Sequence, residues 1–98
     1  MAACSKTDKD ALFQQKLNTI DGVVQEGNTQ KALNSLYALR KNAQTPIQYL
    51  SVAKRELRLH SPVQALQSIQ AGLKKHPDDS MLKAALTHTL MQEDRIED

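Results

Sequence analysis

The fold is decided by residues 27–41, GNTQKALNSLYALRK, and by residues 60–74, HSPVQALQSIQAGLK, which follow 33 positions later. Aligned in this way, the two segments are identical at five positions: Ala32 with Ala65, Leu33 with Leu66, Ser35 with Ser68, Ala38 with Ala71, and Lys41 with Lys74. A period in the low thirties is typical of arrays in which each unit is a pair of helices that buries its apolar face against the next unit. The sequence therefore predicts a stack of helical hairpins.

Two helices are predicted from the apolar spacing around the first segment. The first has one apolar face, at steps of four, three and four residues, formed by Phe13, Leu17, Ile20 and Val24. We expect it to begin near Thr7 or Asp8, after a disordered leader over residues 1–6, and to end at Gly27. The second helix runs from Asn28 or Thr29 to about Asn42, and its expected buried side consists of Ala32, Leu33, Leu36, Leu39 and Tyr37.

Three more helices follow from start and stop signals. Residues 45–48, Thr-Pro-Ile-Gln, give a threonine cap, a proline at the first helical position and a glutamine three residues after the cap, and residues 61–64 repeat this chemistry. Residues 76–79, His-Pro-Asp-Asp, end the fourth helix and cap the fifth. The expected buried residues are Tyr49, Leu50, Ala53 and Leu57; then Ala65, Leu66, Ile69 and Leu73; and finally Met81, Leu82, Leu86 and Leu90. Because no segment has strand periodicity and the connections are short, the predicted fold is all-α with sequential helices antiparallel.

Composition excludes several classes of function. Thirteen Lys and Arg against eleven Asp and Glu leave a net charge of +2, too small by itself to indicate attraction to nucleic acid or to a membrane. The aromatic residues are Phe13, Tyr37 and Tyr49, which are too few for a platform that stacks nucleic-acid bases. No apolar run approaches the ~20 residues that span a bilayer. We therefore expect a soluble domain with no nucleic-acid partner.

The setting of Cys4 allows two interpretations. Residues 1–5, Met-Ala-Ala-Cys-Ser, resemble the junction of a bacterial lipoprotein, in which small residues precede a lipidated cysteine, although no basic and apolar signal precedes them. That resemblance implies lipidation at Cys4 and, because Ser5 follows, a periplasmic location at the outer membrane. The alternative is an ordinary N-terminus with an incidental cysteine and a cytoplasmic location. A single cysteine also excludes an internal disulfide.

The repeat resembles the tetratricopeptide repeat family. The residues that carry the resemblance are the small residues Ala32, Ala53, Ala65 and Gly72, the repeat-closing Pro77 and the turn residue Gly27, which His60 replaces in the second copy. The first copy departs from the family pattern, with Lys16 at the place of its leading large residue, Ile20 at a small-residue position and Leu39 where Ala or Gly is usual. The resemblance covers roughly residues 13–98, and its second copy is the better one.

The resemblance implies a right-handed stack of antiparallel helical hairpins, with two repeats and a fifth helix, and it also gives the domain boundaries. Residues 7–44 form the first hairpin and residues 45–78 the second. Residues 79–98 are either a polar capping helix or the truncated start of a third repeat. We expect the latter, which would make the chain a fragment of a longer repeat protein.

The family resemblance implies that a partner peptide or helix binds the concave face formed by the first helix of each hairpin. The matching residues are Gln14, Leu17, Asn18, Asp21 and Gln25 in the first repeat, Leu50, Ser51, Lys54, Leu57 and Arg58 in the second, and His88 and Met91 after it. Leu17 with Leu50, and Val24 with Leu57, provide an apolar floor, unless they simply complete the core. Lys54 and Arg58 favour an acidic partner.

Other site chemistries are not supported by the sequence. A clamp for a terminal carboxylate is not expected, because Asp21 occupies one of its positions and would repel an anion. The basic run Lys54, Arg55, Arg58 and His60 is typical of a solvated helix face. The histidines His60, His76 and His88 have no partner at metal-ligand spacing, so we expect no metal, cofactor or catalytic site.

Three functions remain open from the sequence. The first is a binding scaffold anchored through Cys4 to a bacterial envelope, in secretion, pilus or polysaccharide assembly. The second is a cytosolic adaptor or co-chaperone domain without an anchor. The third is a self-association module in which the fifth helix pairs with a second copy.

Overall fold

The predicted capping residues mark most of the helix boundaries in the computed structural model, which describes the backbone of residues 2–97 and the side chains of residues 10–92. Within these residues the chain forms helices and no strand, which confirms the all-α prediction. The helices are α1 (Ala2–Gln25), α2 (Thr29–Arg40), α3 (Pro46–Arg58), α4 (Pro62–Lys75) and α5 (Ser80–Glu97). They divide between unit 1, Met1–Asn42, and unit 2, Ala43–Asp98. The division falls two residues before the predicted boundary at 44/45.

Unit 1 is the hairpin of α1 and α2. Its core consists of the residues predicted from periodicity, of which Phe13, Leu17, Ile20, Ala32, Leu36 and Leu39 are buried. Val24 and Leu33 are half-buried, and Tyr37 is wrongly placed in the predicted core because its side chain is 47% exposed. The Tyr37 ring instead lies under Arg40 and Lys41, whose charged groups are 4.7 and 5.2 Å from its centroid. The attraction between these cations and the face of the ring stabilises Tyr37 in its exposed position.

The start of α1 differs from the prediction. The helix begins at Ala2, so residues 2–6 are helical and the predicted disordered leader is wrong from Ala2 onward. Adding residues to an existing helix costs little compared with nucleating one, and alanine and lysine are good helix formers. Periodicity of apolar residues gives no signal for such an extension, because residues 2–6 have no apolar stripe.

Unit 2 contains α3, α4 and α5. Helix α4 packs against both α3 and α5, and α3 makes a smaller contact with α5. The fifth helix therefore belongs to the core of this unit. The buried residues are Tyr49, Val52, Ala53 and Glu56 in α3, Ala65, Ser68, Ile69 and Gly72 in α4, and Leu82 and Thr89 in α5. Four predicted core leucines on α3 and α4 are only half-buried: Leu50, Leu57, Leu66 and Leu73. On α5, Leu86 is half-buried, whereas Met81 and Leu90 are 47% and 46% exposed, so these two are wrongly placed in the predicted core.

Side-chain caps begin two of the helices of unit 2 as predicted. Thr45 accepts a hydrogen bond from the backbone N–H of Gln48, and the Gln48 side chain accepts one from the backbone N–H of Thr45, which completes a capping box. Asp79 accepts from the backbone N–H of Leu82 at 2.8 Å and caps α5. Ser61 differs from Thr45: it makes no side-chain cap, and its ψ of 72° contrasts with 156° at Thr45. Of the predicted start signals of α4, the structure therefore shows only the proline at the first helical position, Pro62.

The turns inside the two hairpins have the same geometry. Gly27 has φ 85° and His60, 33 residues later, has φ 62°. Each turn carries the same pair of hydrogen bonds, Gly27 N–H to Val24 O and Asn28 N–H to Val23 O in unit 1, His60 N–H to Leu57 O and Ser61 N–H to Glu56 O in unit 2. This is the Schellman pattern, which needs a left-handed residue after the helix. The sequence repeat is therefore also a repeat of local structure.

A polar pair lies inside the α3–α4 hairpin. The Ser68 hydroxyl donates to Oε1 of Glu56 at 2.6 Å, and both side chains have no exposed surface. The corresponding residues of unit 1, 33 positions earlier, are Ser35 and Val23, which are both half-buried. Buried polar groups are stabilised by such hydrogen bonds, because leaving one unpaired costs about 1–3 kcal/mol.

Candidate partner-binding surfaces

One face of α3 stays at the surface of unit 2. At helical spacing it comprises Ile47, Leu50, Ser51, Lys54, Leu57 and Arg58, which we call the α3 stripe. Ile47 is 65% exposed at the first turn, and Lys54 and Arg58 are exposed towards the C-terminal end. The three remaining members are half-buried. The stripe thus has an apolar beginning, a partly sheltered middle and a cationic end.

The two cations of the α3 stripe make no ion pair or hydrogen bond with the described part of the chain. Their neighbour Arg55 differs, because its guanidinium donates to the backbone oxygen of Ser51 at 3.2 Å and the side chain is half-buried. Lys54 and Arg58 also project one turn apart on the same face, as the sequence predicts. Their charges are therefore directed at solvent.

The corresponding face of α5 differs from the α3 stripe at its C-terminal end. Adding 33 to Lys54 and Arg58 gives Thr87 and Met91, both exposed, and Met91 has 62% of its surface accessible. His88 is exposed, but it corresponds to Arg55 and lies at the edge of this face, where one ring nitrogen is 3.1 Å from Gln92 Nε2. The cationic end of the α3 stripe is therefore uncharged on α5, whereas Ser80 and Lys83 replace the apolar Ile47 and Leu50 at its beginning.

The predicted contact residues of α1 lie in a different environment. Leu17 is only 1% exposed. It is therefore a core residue of unit 1 and not the partner contact that the sequence predicts. Asp21 is half-buried and Gln25 is exposed. Gln14 and Asn18 are exposed and bonded to each other, with the Gln14 amide donating to Asn18 Oδ1 at 3.1 Å. This face of α1 carries neither an exposed apolar residue nor a cation among these positions.

Sequence reasoning missed two features. Ile47 was assigned only to the start signal of α3, although its position one turn before Leu50 and Ser51 would have placed it on the stripe. The second feature is a cleft of about 330 Å³ between α1 and α2 within unit 1, lined by Lys16, Thr19, Ser35 and Asn42 and by Ile20, Ala38 and Leu39. The departures Lys16 and Leu39 from the repeat pattern were the available signal for it.

Three further predictions concern lipidation of Cys4, metal binding and membrane-spanning segments. The side chain of Cys4 lies outside the described residues. In the described part of the chain, no three His, Cys, Asp or Glu side chains are grouped in a way that would hold a metal ion. Within the same residues, none of the helices combines the length and apolar character needed to cross a bilayer.

Comparison with known proteins does not assign the chain to a family. No family model matches the chain, and no solved structure matches it. An uncharacterized protein of Treponema pallidum (strain Nichols) is 33% identical over 86 residues. The match covers 88% of this chain, whereas the chain spans about 13% of the length of that relative. The tetratricopeptide resemblance thus rests on the residues themselves.

Proposed function

We propose that this chain is a non-catalytic scaffold of the tetratricopeptide type that binds a partner polypeptide. Structural equivalence of the two hairpins supports the assignment to a repeat. Gly27 and His60 adopt the same left-handed turn, and the diagnostic alanines Ala32 and Ala65 have no exposed surface. Arrays of such hairpins bind other proteins on the faces that helix packing leaves open.

The α3 stripe is the observation that carries the proposed function. It combines exposed Ile47 with Lys54 and Arg58, two cations without an ion pair in the described residues. Interface hot spots are apolar or aromatic anchors flanked by charges that set orientation and association rate. A partner segment with an apolar residue followed, about two turns later, by acidic residues complements this arrangement. Because α3 is a preformed helix, binding requires little ordering of the scaffold.

Charge alone would give a weak complex. An exposed ion pair contributes about 0.2–1 kcal/mol and is screened by salt. Lys54 and Arg58 therefore contribute more to specificity than to affinity. Ile47 and the half-buried Leu50 and Leu57 supply the apolar surface whose burial stabilises the complex. The proposed partner is therefore both acidic and apolar.

The cellular setting proposed for this scaffold is the bacterial envelope. The Ala2-Ala3-Cys4-Ser5 pattern supports a lipid anchor at Cys4 and a role in secretion, pilus or polysaccharide assembly at the outer membrane. Expressing the natural gene in bacteria fed an alkyne-labelled fatty acid tests this, with Cys4→Ser as the control. Labelling that disappears in Cys4→Ser supports the anchor, and a wild-type protein without label favours a cytosolic adaptor.

Charge reversal on the α3 stripe tests partner binding. The double variant Lys54→Glu/Arg58→Glu is compared with Lys31→Glu/Lys74→Glu, which makes the same change of net charge at exposed positions of α2 and α4, outside the stripe. A partner captured from the native lysate is identified by mass spectrometry, and its affinity is then measured with purified protein. We expect the stripe variant to bind at least about tenfold more weakly and the control within about twofold. Equal affinity of both variants would refute binding at the α3 stripe.

A further inference from the structure

Helices α3 and α5 lie in register within unit 2. Both pack on α4 and contact each other, and short connections on either side of α4 make the two helices run in the same direction. Tyr49 of α3 and Leu82 of α5, which are 33 positions apart, both approach Gly72 of α4. A Cβ added at Gly72 would lie 2.9 Å from the Tyr49 ring and 3.1 Å from Leu82 Cδ1. Residues 33 positions apart on α3 and α5 therefore lie at the same level of the unit.

The residues of α5 that correspond to the α3 stripe all stay at the surface. We call them the α5 face; its members are Ser80, Lys83, Ala84, Thr87, Leu90 and Met91, and each is exposed. Among the members of the α3 stripe, by contrast, three are half-buried. Leu90 and Met91 follow each other near the C-terminal end of the described side chains and are two of the exposed large apolar residues of the protein. The α5 face thus leaves apolar surface uncovered at this end.

Apolar and cationic residues follow each other in opposite order on the two helices. On α3 the apolar end of the stripe, at Ile47, precedes the two cations. On α5 the cation Lys83 comes first, and the apolar pair Leu90 and Met91 comes two turns later. The apolar groups therefore lie on one diagonal of the surface formed by α3 and α5, and the cations lie on the other.

The combined surface of the α3 stripe and the α5 face carries three cations and no acidic residue. Like Lys54 and Arg58, Lys83 makes no ion pair or hydrogen bond through its side chain with the described residues. Glu56, the acidic residue of α3, is buried and accepts the hydrogen bond of Ser68, so it does not offset these charges at the surface. A surface of this kind attracts carboxylates. The chemistry of the occupant is therefore both acidic and apolar on each of the two helices.

Helix geometry gives the spacing that an occupant must match. Ile47 lies eleven residues before the level of Met91, about 16 Å along the axis, and Leu50 lies seven residues before the level of Leu90, about 10 Å. Because packed helix axes are about 8–10 Å apart, the two apolar ends of the diagonal are separated by about 14–19 Å. A helix covers about 16 Å in eleven residues, which falls within this range.

We infer that the surface formed by α3 and α5 binds a partner helix that crosses it diagonally. The partner has apolar side chains at its first and twelfth positions, which contact Ile47 at one end and Leu90 with Met91 at the other, and carboxylates at its fifth and eighth positions. In a helix these two carboxylates project about 30° to either side of the line between the apolar ends. One therefore faces Lys83 and the other faces the cations of the α3 stripe. The inference rests on the proposed scaffold function and specifies the conformation and the residue spacing of the partner.

A designed peptide tests this surface. The probe is an alanine- and glutamine-based helix with leucine at the first and twelfth positions of the pattern and glutamate at the fifth and eighth, stapled on its opposite side. The matched control exchanges leucine and glutamate, so its composition and net charge are the same. NMR spectra of the isotope-labelled full chain are recorded during titration with each peptide. We expect shifts at Leu50, Lys83 and Met91 with a dissociation constant below about 1 mM, and at least about tenfold weaker binding of the control.

Variants of the apolar end of α5 locate the binding. Leu90→Ser/Met91→Ser is expected to weaken binding of the probe by about tenfold. Met91→Ser alone, at the more exposed of the two positions, is expected to weaken it by about threefold and serves if the double variant loses its helix content in circular dichroism. Met81→Ser, exposed on α5 outside the α5 face, is the control and is expected to change the affinity by less than about twofold.

A variant of the cation on α5 tests the second diagonal. Lys83→Glu is expected to weaken binding of the probe by about threefold, since an exposed ion pair is replaced by repulsion. Lys74→Glu, which makes the same charge change at an exposed position of α4, is expected to have less than about a twofold effect.

Several results would overturn the inference. They are an absence of shifts on α3 and α5 up to about 1 mM probe, equal binding of the exchanged peptide, and insensitivity to both the Leu90→Ser/Met91→Ser and the Lys83→Glu variants. Sedimentation that detects a dimer, lost in Leu90→Ser/Met91→Ser, would assign the apolar end of α5 to a second copy instead. Failure here is separable from failure of the proposed function. A native partner that responds to Lys54→Glu/Arg58→Glu but not to the α5 variants would retain the scaffold and refute the diagonal arrangement.

Discussion

The two hairpins of this protein share turns and small core residues but differ on the face beside Leu39 in unit 1 and Gly72 in unit 2. In unit 2, Gly72 admits the ring of Tyr49, and Leu82 covers both. In unit 1, the same two positions are Leu39 and Lys16, and a cleft lies beside them. The residues that form the turn and the small core positions are therefore different from the residues that decide how the adjacent face is packed.

The outward stripes of α1 and α3 differ in parallel. Asp21 and Gln25 of α1 stand where α3 has Lys54 and Arg58, and Gln14 stands where α3 has Ile47. Unit 1 thus offers a cleft and a polar stripe, whereas unit 2 offers a closed face and a stripe that is apolar and cationic. The two units therefore differ both in the face beside the hairpin and in the chemistry of the stripe.

Truncating Leu82 is expected to have the largest effect on this comparison, because it opens in unit 2 the face that is open in unit 1. Leu82→Ala removes a fully buried side chain and leaves a cavity, so we expect the free energy of unfolding of unit 2 to fall by about 2–5 kcal/mol. Urea denaturation measures the change. Met81→Ala, at a position 47% exposed, is the control and is expected to cost less than about 0.5 kcal/mol. Similar costs at the two positions would mean that Leu82 does not cover the hairpin.

Filling Gly72 sharpens the comparison from the opposite side. In Gly72→Ala the new Cβ meets Tyr49 at 2.9 and 3.0 Å, so packing must shift, and we expect a loss of about 1–3 kcal/mol. Gly22→Ala is the matched control in unit 1, since its Cβ would meet nothing within 4 Å and alanine favours the interior of a helix. We expect this variant to gain about 0.5–1 kcal/mol. Thermal unfolding of both variants decides the matter, and a stable Gly72→Ala protein would contradict the close approach of Tyr49.

The smallest expected effect concerns what the hairpins share. Gly27 and His60 both have positive φ, which costs a side-chain-bearing residue about 1–2 kcal/mol. Gly27→Ala is expected to destabilise by about 1 kcal/mol. His60→Gly is expected to stabilise by less than that, because the added freedom of the unfolded chain offsets part of the strain that is relieved. Chemical denaturation of the pair measures both; opposite signs are required if the turns are equivalent.

The sequence predicts the helices of this fold better than it predicts their exposed faces. Apolar periodicity and the Thr45 and Asp79 caps place four of the five helix starts within about one residue, because these signals are local. The extension of α1 to Ala2 has no such local signal. Ala32 and Ala65, two of the small residues that carry the family resemblance, have no exposed surface, as expected for small residues at a repeated core position.

The candidate surfaces were only partly predictable. Exposure of Lys54 and Arg58 follows from helical spacing, and the structure agrees. The burial of Leu17, against half-burial of its equivalent Leu50, depends on neighbouring side chains that a repeat alignment does not contain. The departures Lys16 and Leu39 from the repeat pattern mark the place of the cleft, but its volume and its other lining residues needed coordinates.

The placement of the two tyrosines gives each unit its own optical reporter. Tyr37 of unit 1 is 47% exposed beneath two cations, Tyr49 of unit 2 is 4% exposed against Gly72, and the chain has no tryptophan to mask their emission. Phenylalanine at one position isolates the fluorescence of the other ring. Separate melting curves for the two halves can therefore be recorded on the intact chain, which reveals directly whether they unfold as one cooperative body.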